Sequence, residues 1–414
     1  KQARFMDKKI NFYDLRWMMS LFGTAVGAGI LFLPIKAGVA GIYPVFVMAL
    51  LAFPMTYLSH LGLARFCAGQ KGDISDVSEH YFGFKIGFII TILYFFAFFP
   101  ACIMYGVGIT NTTISFLNNQ MGLENINRLV VVLVLISALM LVMVFHEDLV
   151  IRICEWLVYP LCVILLLFSL YLTQFWDYSN FSYLPNFKDF SHTIIFALPI
   201  LAFAFEHTPA ISTFSQSMER HYGKAHQDEK SRRILFCNAG LLLFFTMFFV
   251  FSCVMSLSPA DLALAKEQNI PIVSYFANKL NNPLMGILAP LIAVLAISTS
   301  FFGHYFGAKE GLNGIIFKLC KITHERPPNK RKIAFFSGLG FYLLMLVSSY
   351  LNPSILGIID TLTGPVIAMI LFLLPVLGFY KIKRLRKYRN TLADIFIALF
   401  GVLTIATVLF NIFA

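Results

Sequence analysis

The hydrophobic pattern of this chain consists of long runs without an acidic or basic side chain, separated by short polar segments. The runs are residues 17–35, 37–64, 86–123, 129–145, 157–175, 234–260, 280–308, 361–380 and 395–414. A helix needs roughly 20 mostly apolar residues to cross about 30 Å of hydrocarbon, and these runs have that reach. The uncharged stretch 333–359 is cut by Asn352-Pro353, which predicts one span ending near Leu351 and another beginning past the proline. A further span covers about 192–217, interrupted by Glu206. The runs are apolar on every face and lack a two-residue alternation, so they read as lipid-embedded helices and not as barrel strands. The prediction is an all-α integral membrane protein, one domain over residues 1–414, with eleven transmembrane helices. Ser258-Pro259-Ala-Asp261 has the grammar of a helix start, a capping hydroxyl with proline in the first turn, and predicts short helices over the outer mouth.

Composition agrees. The chain is 58% hydrophobic and 13% charged with a mean hydropathy of +0.77, against about 45–50% and about 25% in soluble domains. There is too little polar surface to cover a soluble fold, which excludes a cytosolic enzyme, a secreted disulfide scaffold and a disordered chain. The net charge of +11 raises a nucleic-acid reading, but the positions of the charges answer it. With the N-terminus cytoplasmic and the C-terminus outside, all but five Lys and Arg (Lys36, Arg128, Lys188, Lys266 and Lys279) fall on the inner side. That is the positive-inside asymmetry of a multi-pass membrane protein. The partner implied is the lipid bilayer; neither nucleic acid nor an obligate protein partner is. The first apolar segment is a full span with a Gly-rich middle, so no cleavable signal peptide is expected. Cys67, Cys102, Cys154, Cys162, Cys237, Cys253 and Cys320 lack metal-ligand spacing and read as free thiols. No cofactor is implied.

Two spans carry breakers at mid-membrane. Span 1 reads Gly23-Thr24-Ala25-Val26-Gly27-Ala28-Gly29 followed by Pro34, and each glycine weakens a helix by about 1 kcal/mol relative to Ala. Close packing of small residues accounts for Gly23 and Gly27. An unwound hinge over 23–29 accounts for the whole run and would offer bare N–H groups to a carboxylate. Span 6 holds Phe203-Ala-Phe205-Glu206-His207-Thr208-Pro209. A carboxylate at a helix centre costs about 2.5–3.5 kcal/mol in a bilayer, so Glu206 must face protein or water; a protonated core acid is the plainer alternative. Breaks five helices apart point to an inverted-repeat transporter, with repeats over about 14–175 and 192–380 and an extra helix over about 391–413. The substrate site expected from them comprises Thr24, Ala25, Gly27, Ala28, Gly29, Phe203, Phe205, Glu206, His207 and Ser298.

Span 8 contains Ala296-Ile-Ser298-Thr299-Ser300. Hydroxyls in such a helix often bond back to the preceding turn. Alternatively, the Thr299 and Ser300 hydroxyls and the carbonyls of Ala296, Gly23 and Val26 make five oxygens, a set that suits a hard cation such as sodium.

These motifs are familiar. Gly23-Thr-Ala-Val-Gly-Ala-Gly-Ile-Leu-Phe-Leu-Pro34 resembles the hydroxy and aromatic amino acid permease family, most closely its serine/threonine branch. Ser256-Leu-Ser-Pro-Ala-Asp-Leu262, Ala265-Lys-Glu-Gln-Asn269, Gly303-His-Tyr-Phe-Gly-Ala-Lys-Glu-Gly311, Asn352-Pro-Ser-Ile-Leu356 and Gly364-Pro-Val-Ile-Ala-Met369 extend the likeness over nearly the whole chain. The resemblance implies the LeuT-type five-plus-five inverted-repeat fold of the amino acid–polyamine–cation superfamily. It also implies cation-driven uptake of L-serine or a related amino acid. Two departures bear on the cation: Glu206 stands where relatives carry Asn, and Thr299 where they carry Lys. The Lys of proton-coupled relatives substitutes for sodium, and its loss restores the pattern of sodium-coupled ones. Sodium is therefore slightly favoured, while Glu206 keeps proton coupling open as the proton-carrying candidate.

The expected mechanism is alternating access, with the two breaks gripping the amino acid and its side chain meeting Thr24, Ser298, Ser300 or His207. No nucleophile–base pair suggests an enzyme. A channel and an amino acid sensor are the rival classes. Lys36 and Asp360 read as solvated surface charges in preference to an external gate.

Overall fold

A computed structural model describes residues 10–144, 147–280, 282–324, 326 and 329–413. The basic segment 1–9 and Phe145, the last residue of the predicted fourth run, lie outside the described residues. Among the described residues every regular element is helical. In chain order these are α1 (Phe12–Ala25), α2 (Ala28–Ala37), α3 (Ile42–Cys67), α4 (Ile74–Phe82), α5 (Phe84–Asn119), α6 (Arg128–Val142) and α7 (Glu147–Leu172). Then come α8 (Phe187–Ala204), α9 (Thr208–Ser256), α10 (Pro259–Glu267), α11 (Ile272–Leu280), α12 (Pro283–Thr323) and α13 (Lys330–Leu351). The last two are α14 (Ile355–Lys381), which contains two π-helical turns, and α15 (Thr391–Phe413).

Nine helices among the described residues are long and apolar enough to cross a bilayer, and the bent pair α1–α2 makes a tenth. The predicted eleventh is α6, whose 15 residues fall short of a full crossing by length alone. The count of eleven is therefore not established. The second half of predicted span 6 and most of span 7 form the single element α9, bent at Gly223, whose φ of 76° only glycine adopts freely. Helices α10 and α11 stand where Ser258 predicted them, and Ser258 and Asp261 form a reciprocal capping box. Helix α4 was not anticipated. Its start is fixed by the Asp73 side chain, which accepts from the N–H groups of Ser75 and Asp76.

The long helices α5 and α12 pack at the centre. Gly307 and Gly311 permit this: an added methyl would come within 2.9 Å of Phe98 and 2.8 Å of the Phe95 Cα. Small residues at i and i+4 let two backbones approach where lipid offers no hydrophobic drive for association. Leu50, Val134, Phe244, Ile287, Leu343 and Val402 face outward as a lipid-contacting surface. One end of the bundle is basic. There Arg65 meets Asp228, Lys318 and Lys321 meet Glu79, and Lys230 meets buried Asp14. The opposite end carries α10, α11 and the Lys279–Asp261 pair.

Candidate functional site

The break in the first span is shorter than predicted. Helix α1 ends at Ala25, Val26 is extended (φ −77°, ψ 94°), Gly27 sits at φ −150°, ψ −147°, and α2 restarts at Ala28, bent by 57° from α1. Gly23 and Gly29 lie inside helices. Their role is close approach: a methyl on Gly23 would come within 2.1 Å of the Val158 side chain, and one on Gly29 within 2.7 Å of the Ala204 Cα. The hinge expected over 23–29 is thus confined to Val26 and Gly27. No side chain caps Gly27, so the first N–H groups of α2 lack intrahelical partners and its positive pole is open to an anion.

In the sixth span α8 ends at Ala204, and α9 starts at Thr208 with Pro209 in its first turn, where no backbone donor is needed. Pro209 therefore starts a helix here and does not merely interrupt one. Glu206 is buried. Its Oε2 accepts from the Thr208 N–H at 2.9 Å, and its Oε1 lies 2.8 Å from Nε2 of His304. His304 Nδ1 lies 2.8 Å from the Ser300 carbonyl oxygen, which can only accept, so Nδ1 carries a hydrogen. One proton must then lie between Nε2 and Oε1, making either imidazolium–carboxylate or imidazole–carboxylic acid. The pair is net neutral in both forms, which is how α9 and α12 bury it.

His207 turns away from this pair. It stacks on His60 of α3 at 3.6 Å, its N–H donates to His60 Nε2, and its own Nε2 faces Asn238. Its neighbours are α3 and the far part of α9, at the position where a substrate side chain was expected. Ser298 is also elsewhere, on the helix face that continues half-exposed Leu291 and Val294 and not on that of Ser300. Helical phase separates the two serines.

The remaining predicted residues do converge. Gly27 abuts Ser300 and Tyr105, and Phe203 lies beside Gly29, with its ring 5.9 Å from that of His304. Ala25, Ala28 and Phe205 are buried in the same region, and the Phe205 carbonyl faces His207 Nδ1. Ser300 Oγ donates to the Val26 carbonyl at 2.9 Å and lies 3.4 Å from that of Thr24. Thr299 Oγ1 bonds back to Leu295 and Ala296 at 2.9 and 3.2 Å. Gly23 and Thr299 line one small cavity of about 70 Å³. Thr299 thus bonds back within α12, the plainer of the two expectations, while Ser300 reaches across to the Val26 carbonyl.

A second cavity of about 140 Å³ runs from the basic end to Thr24, between Trp17 and Ser20 of α1, Thr213 of α9, and Gly303 and Glu310 of α12. At the opposite end two charged side chains meet. Lys36 of α2 pairs with Asp360 of α14 and reaches the Phe196 carbonyl of α8, with side chains only 16% and 12% exposed. The solvated-charge reading of these two residues is corrected: they are mostly buried and join three helices through one ion pair.

Sequence reasoning missed His304 and Tyr105, whose hydroxyl lies 3.5 Å from His304 Nδ1. The available signal was a histidine one turn past Ser300, on the face of the cation motif.

The profile of the tryptophan/tyrosine permease family matches residues 16–412. The serine transporter SdaC of Escherichia coli strain K12 is 41% identical over 410 residues, covering 97% of this chain and 95% of that protein. The threonine/serine transporter TdcC of Edwardsiella piscicida is 36% identical over 422 residues, covering 96% and 95%. Among solved structures, a manganese transporter of Eremococcus coleocola superposes with a TM-score of 0.60 at 14% identity, covering 97% of this chain and 87% of that one. MhsT in complex with L-phenylalanine gives 0.60 at 13% identity, covering 96% and 98%. These likenesses show the LeuT-type fold.

Proposed function

The chain belongs to the tryptophan/tyrosine permease family, and from that premise we propose that it takes up L-serine, or another small hydroxy amino acid, by cation-coupled symport. Its curated relatives are amino acid transporters; the protein is a membrane transporter and not an enzyme. The observation that carries the reading is the meeting of two helix breaks. Gly29, just past the first, touches Ala204, just before the second, and Gly27 touches Ser300. Unpaired N–H groups at the start of α2 receive the carboxylate, and free carbonyls at the ends of α1 and α8 receive the ammonium. Thr24, which lines both cavities, faces the substrate hydroxyl.

The coupling ion in this reading is sodium, carried as co-substrate by the oxygens of Gly23, Val26, Ala296, Thr299 and Ser300. Its entry down 100 mV supplies about 2.3 kcal/mol, or roughly 50-fold accumulation. The basic end faces the cytoplasm of a bacterial inner membrane, so the cavity reaching Thr24 is the inward path and the Lys36–Asp360 closure the outer gate. The two repeats, about 14–175 and 192–380, rock against each other, with α15 outside them.

A second reading, proton coupling, is favoured by one specific observation: the single proton that the Glu206–His304 hydrogen bond requires. Uptake of labelled serine into proteoliposomes, with sodium and proton gradients imposed separately, decides between them. Accumulation that needs sodium and survives collapse of the proton gradient supports sodium. Accumulation indifferent to sodium and abolished by that collapse assigns the coupling to the proton. Counterflow of preloaded serine is expected in either case, and its absence would sink the transporter mechanism in favour of a channel or sensor.

A further inference from the structure

Toward the basic end, away from both breaks, α6, α12 and α13 enclose a lipid-facing groove of about 790 Å³. Its walls are mostly apolar: Met140 and Leu141 of α6 and Val144 just past its end face Phe335 and Leu339 of α13. Leu141, Val144 and Phe335 are 64%, 80% and 65% exposed. Ser137 and Tyr342 join hydroxyls at 2.8 Å along it, tying α6 to α13. Gly338 leaves it open: a methyl there would meet only the Tyr305 hydroxyl, at 3.8 Å.

The floor of this groove holds Lys309. It is half-buried, and among the described residues no carboxylate lies within ion-pair distance of it. The depth of Lys309 follows from helix geometry. It lies 26 residues past Pro283, the start of α12, so about 39 Å along the axis. A bilayer with its headgroups is about 40–45 Å thick, so a helix that enters the opposite face at Pro283 brings Lys309 to the headgroup level on the basic side. Arg331 and Lys332, exposed at the start of α13, add positive charge to the same side. A cation held in an apolar groove at that depth calls for a counter-charge, and basic pockets between helices on this side suit anionic headgroups.

We propose that this groove binds an anionic phospholipid of the phosphatidylglycerol type. One acyl chain lies against Met140, Leu141 and Leu339, and the phosphate sits on Lys309. A zwitterionic lipid would bring its own ammonium toward Lys309, Arg331 and Lys332, so net headgroup charge discriminates between lipids. The bound lipid wedges between α6 and α13 on one side and the central helix α12 on the other.

The test is native mass spectrometry of the delipidated protein titrated with phosphatidylglycerol or phosphatidylethanolamine, comparing wild type with Lys309→Gln, Lys309→Arg and Gly338→Leu. Wild type and Lys309→Arg are expected to retain phosphatidylglycerol over phosphatidylethanolamine. Lys309→Gln should weaken it about fivefold, the effect of one near-surface cation. Gly338→Leu, which fills the groove and leaves every charge in place, should also displace it. Thermal stability in detergent reports that each variant folds. Equal binding of the two lipids by wild type, undiminished phosphatidylglycerol binding by Lys309→Gln, or insensitivity to Gly338→Leu would each overturn the proposal. Displacement of the lipid by inorganic phosphate alone would reassign Lys309 to a soluble anion and overturn it too.

Discussion

At the scale of single residues, the Glu206–His304 pair sets the stakes. The two groups are buried and mutually satisfied, so removing one strands the other. If the pair is imidazolium–carboxylate, His304→Ala leaves a carboxylate without its partner, and the expected destabilisation is about 3–5 kcal/mol. Glu206→Gln keeps an amide that accepts from Thr208 and donates to His304 Nε2, so it should fold nearly as well as wild type. The double variant Glu206→Gln/His304→Ala should be more stable than His304→Ala alone, because no uncompensated charge remains. Thermal unfolding in detergent gives the cycle; equal stability of His304→Ala and the double variant would mean the pair carries no buried charge. On the sodium reading, Glu206→Gln also retains sodium-driven accumulation.

The breaks act at the scale of the element. Helix α2 begins at an uncapped glycine because α12 and Tyr105 crowd that position. In Gly27→Ala the new methyl would lie 2.2 Å from Ser300 Oγ, a distance that forces α1 and α12 apart. Overpacking of this kind costs about 1–3 kcal/mol, so the variant should fold and yet lose at least about tenfold in serine uptake, measured in vesicles at matched protein level. Helices α10 and α11 supply a pH prediction. Burial would raise the Asp261 carboxyl, but hydrogen bonds from Lys279, Ser258 and Tyr275 outweigh it and hold the group well below the usual carboxylate range. Tyr275 is pushed up to about 12 by burial and by the same carboxylate. A depressed carboxyl stabilises fully above its unfolded value of about 3.9 and loses that contribution as pH falls through the folded value. Hydrogen-exchange protection of α10 and α11 should therefore be flat from pH 7 to about pH 4 and decline only in stronger acid. A decline centred near pH 5–6 would contradict the assignment.

For the whole molecule, the arrangement is one-sided. The cavity reaches Thr24 from the basic end, while at the other Lys36 and Asp360 join α2, α8 and α14, the outer gate of the proposed mechanism. Asp360→Asn removes the charge that holds Lys36 and should shift the molecule toward opening at that end. A cysteine introduced at Thr24, in a background freed of native cysteines, should react faster with a membrane-impermeant thiol reagent from that side, by about tenfold for 1.4 kcal/mol. The charge-exchanged variant Lys36→Asp/Asp360→Lys should bring the rate back. Unchanged labelling in Asp360→Asn would remove these two residues from the gate.

The chain sequence determined the membrane class, the position of nearly every span, the basic end and the two interrupted helices. These follow from hydrophobic length, from the distribution of Lys and Arg, and from glycine, proline and one acid in apolar runs, all of which are local properties of the chain. It also marked the Thr299-Ser300 turn, since a hydroxyl pair in a lipid span stands out by composition. Which residues meet was decided only by packing. Gly23 and Gly29 turned out to make room for Val158 and Ala204, and adjacent Glu206 and His207 diverged to opposite neighbours. His304 became the partner of Glu206 from 98 residues away, and Lys36 found Asp360 across 324. Contacts at such separations depend on how helices rotate about their axes as they pack, and the phase of one helix against another is written in no single segment of sequence.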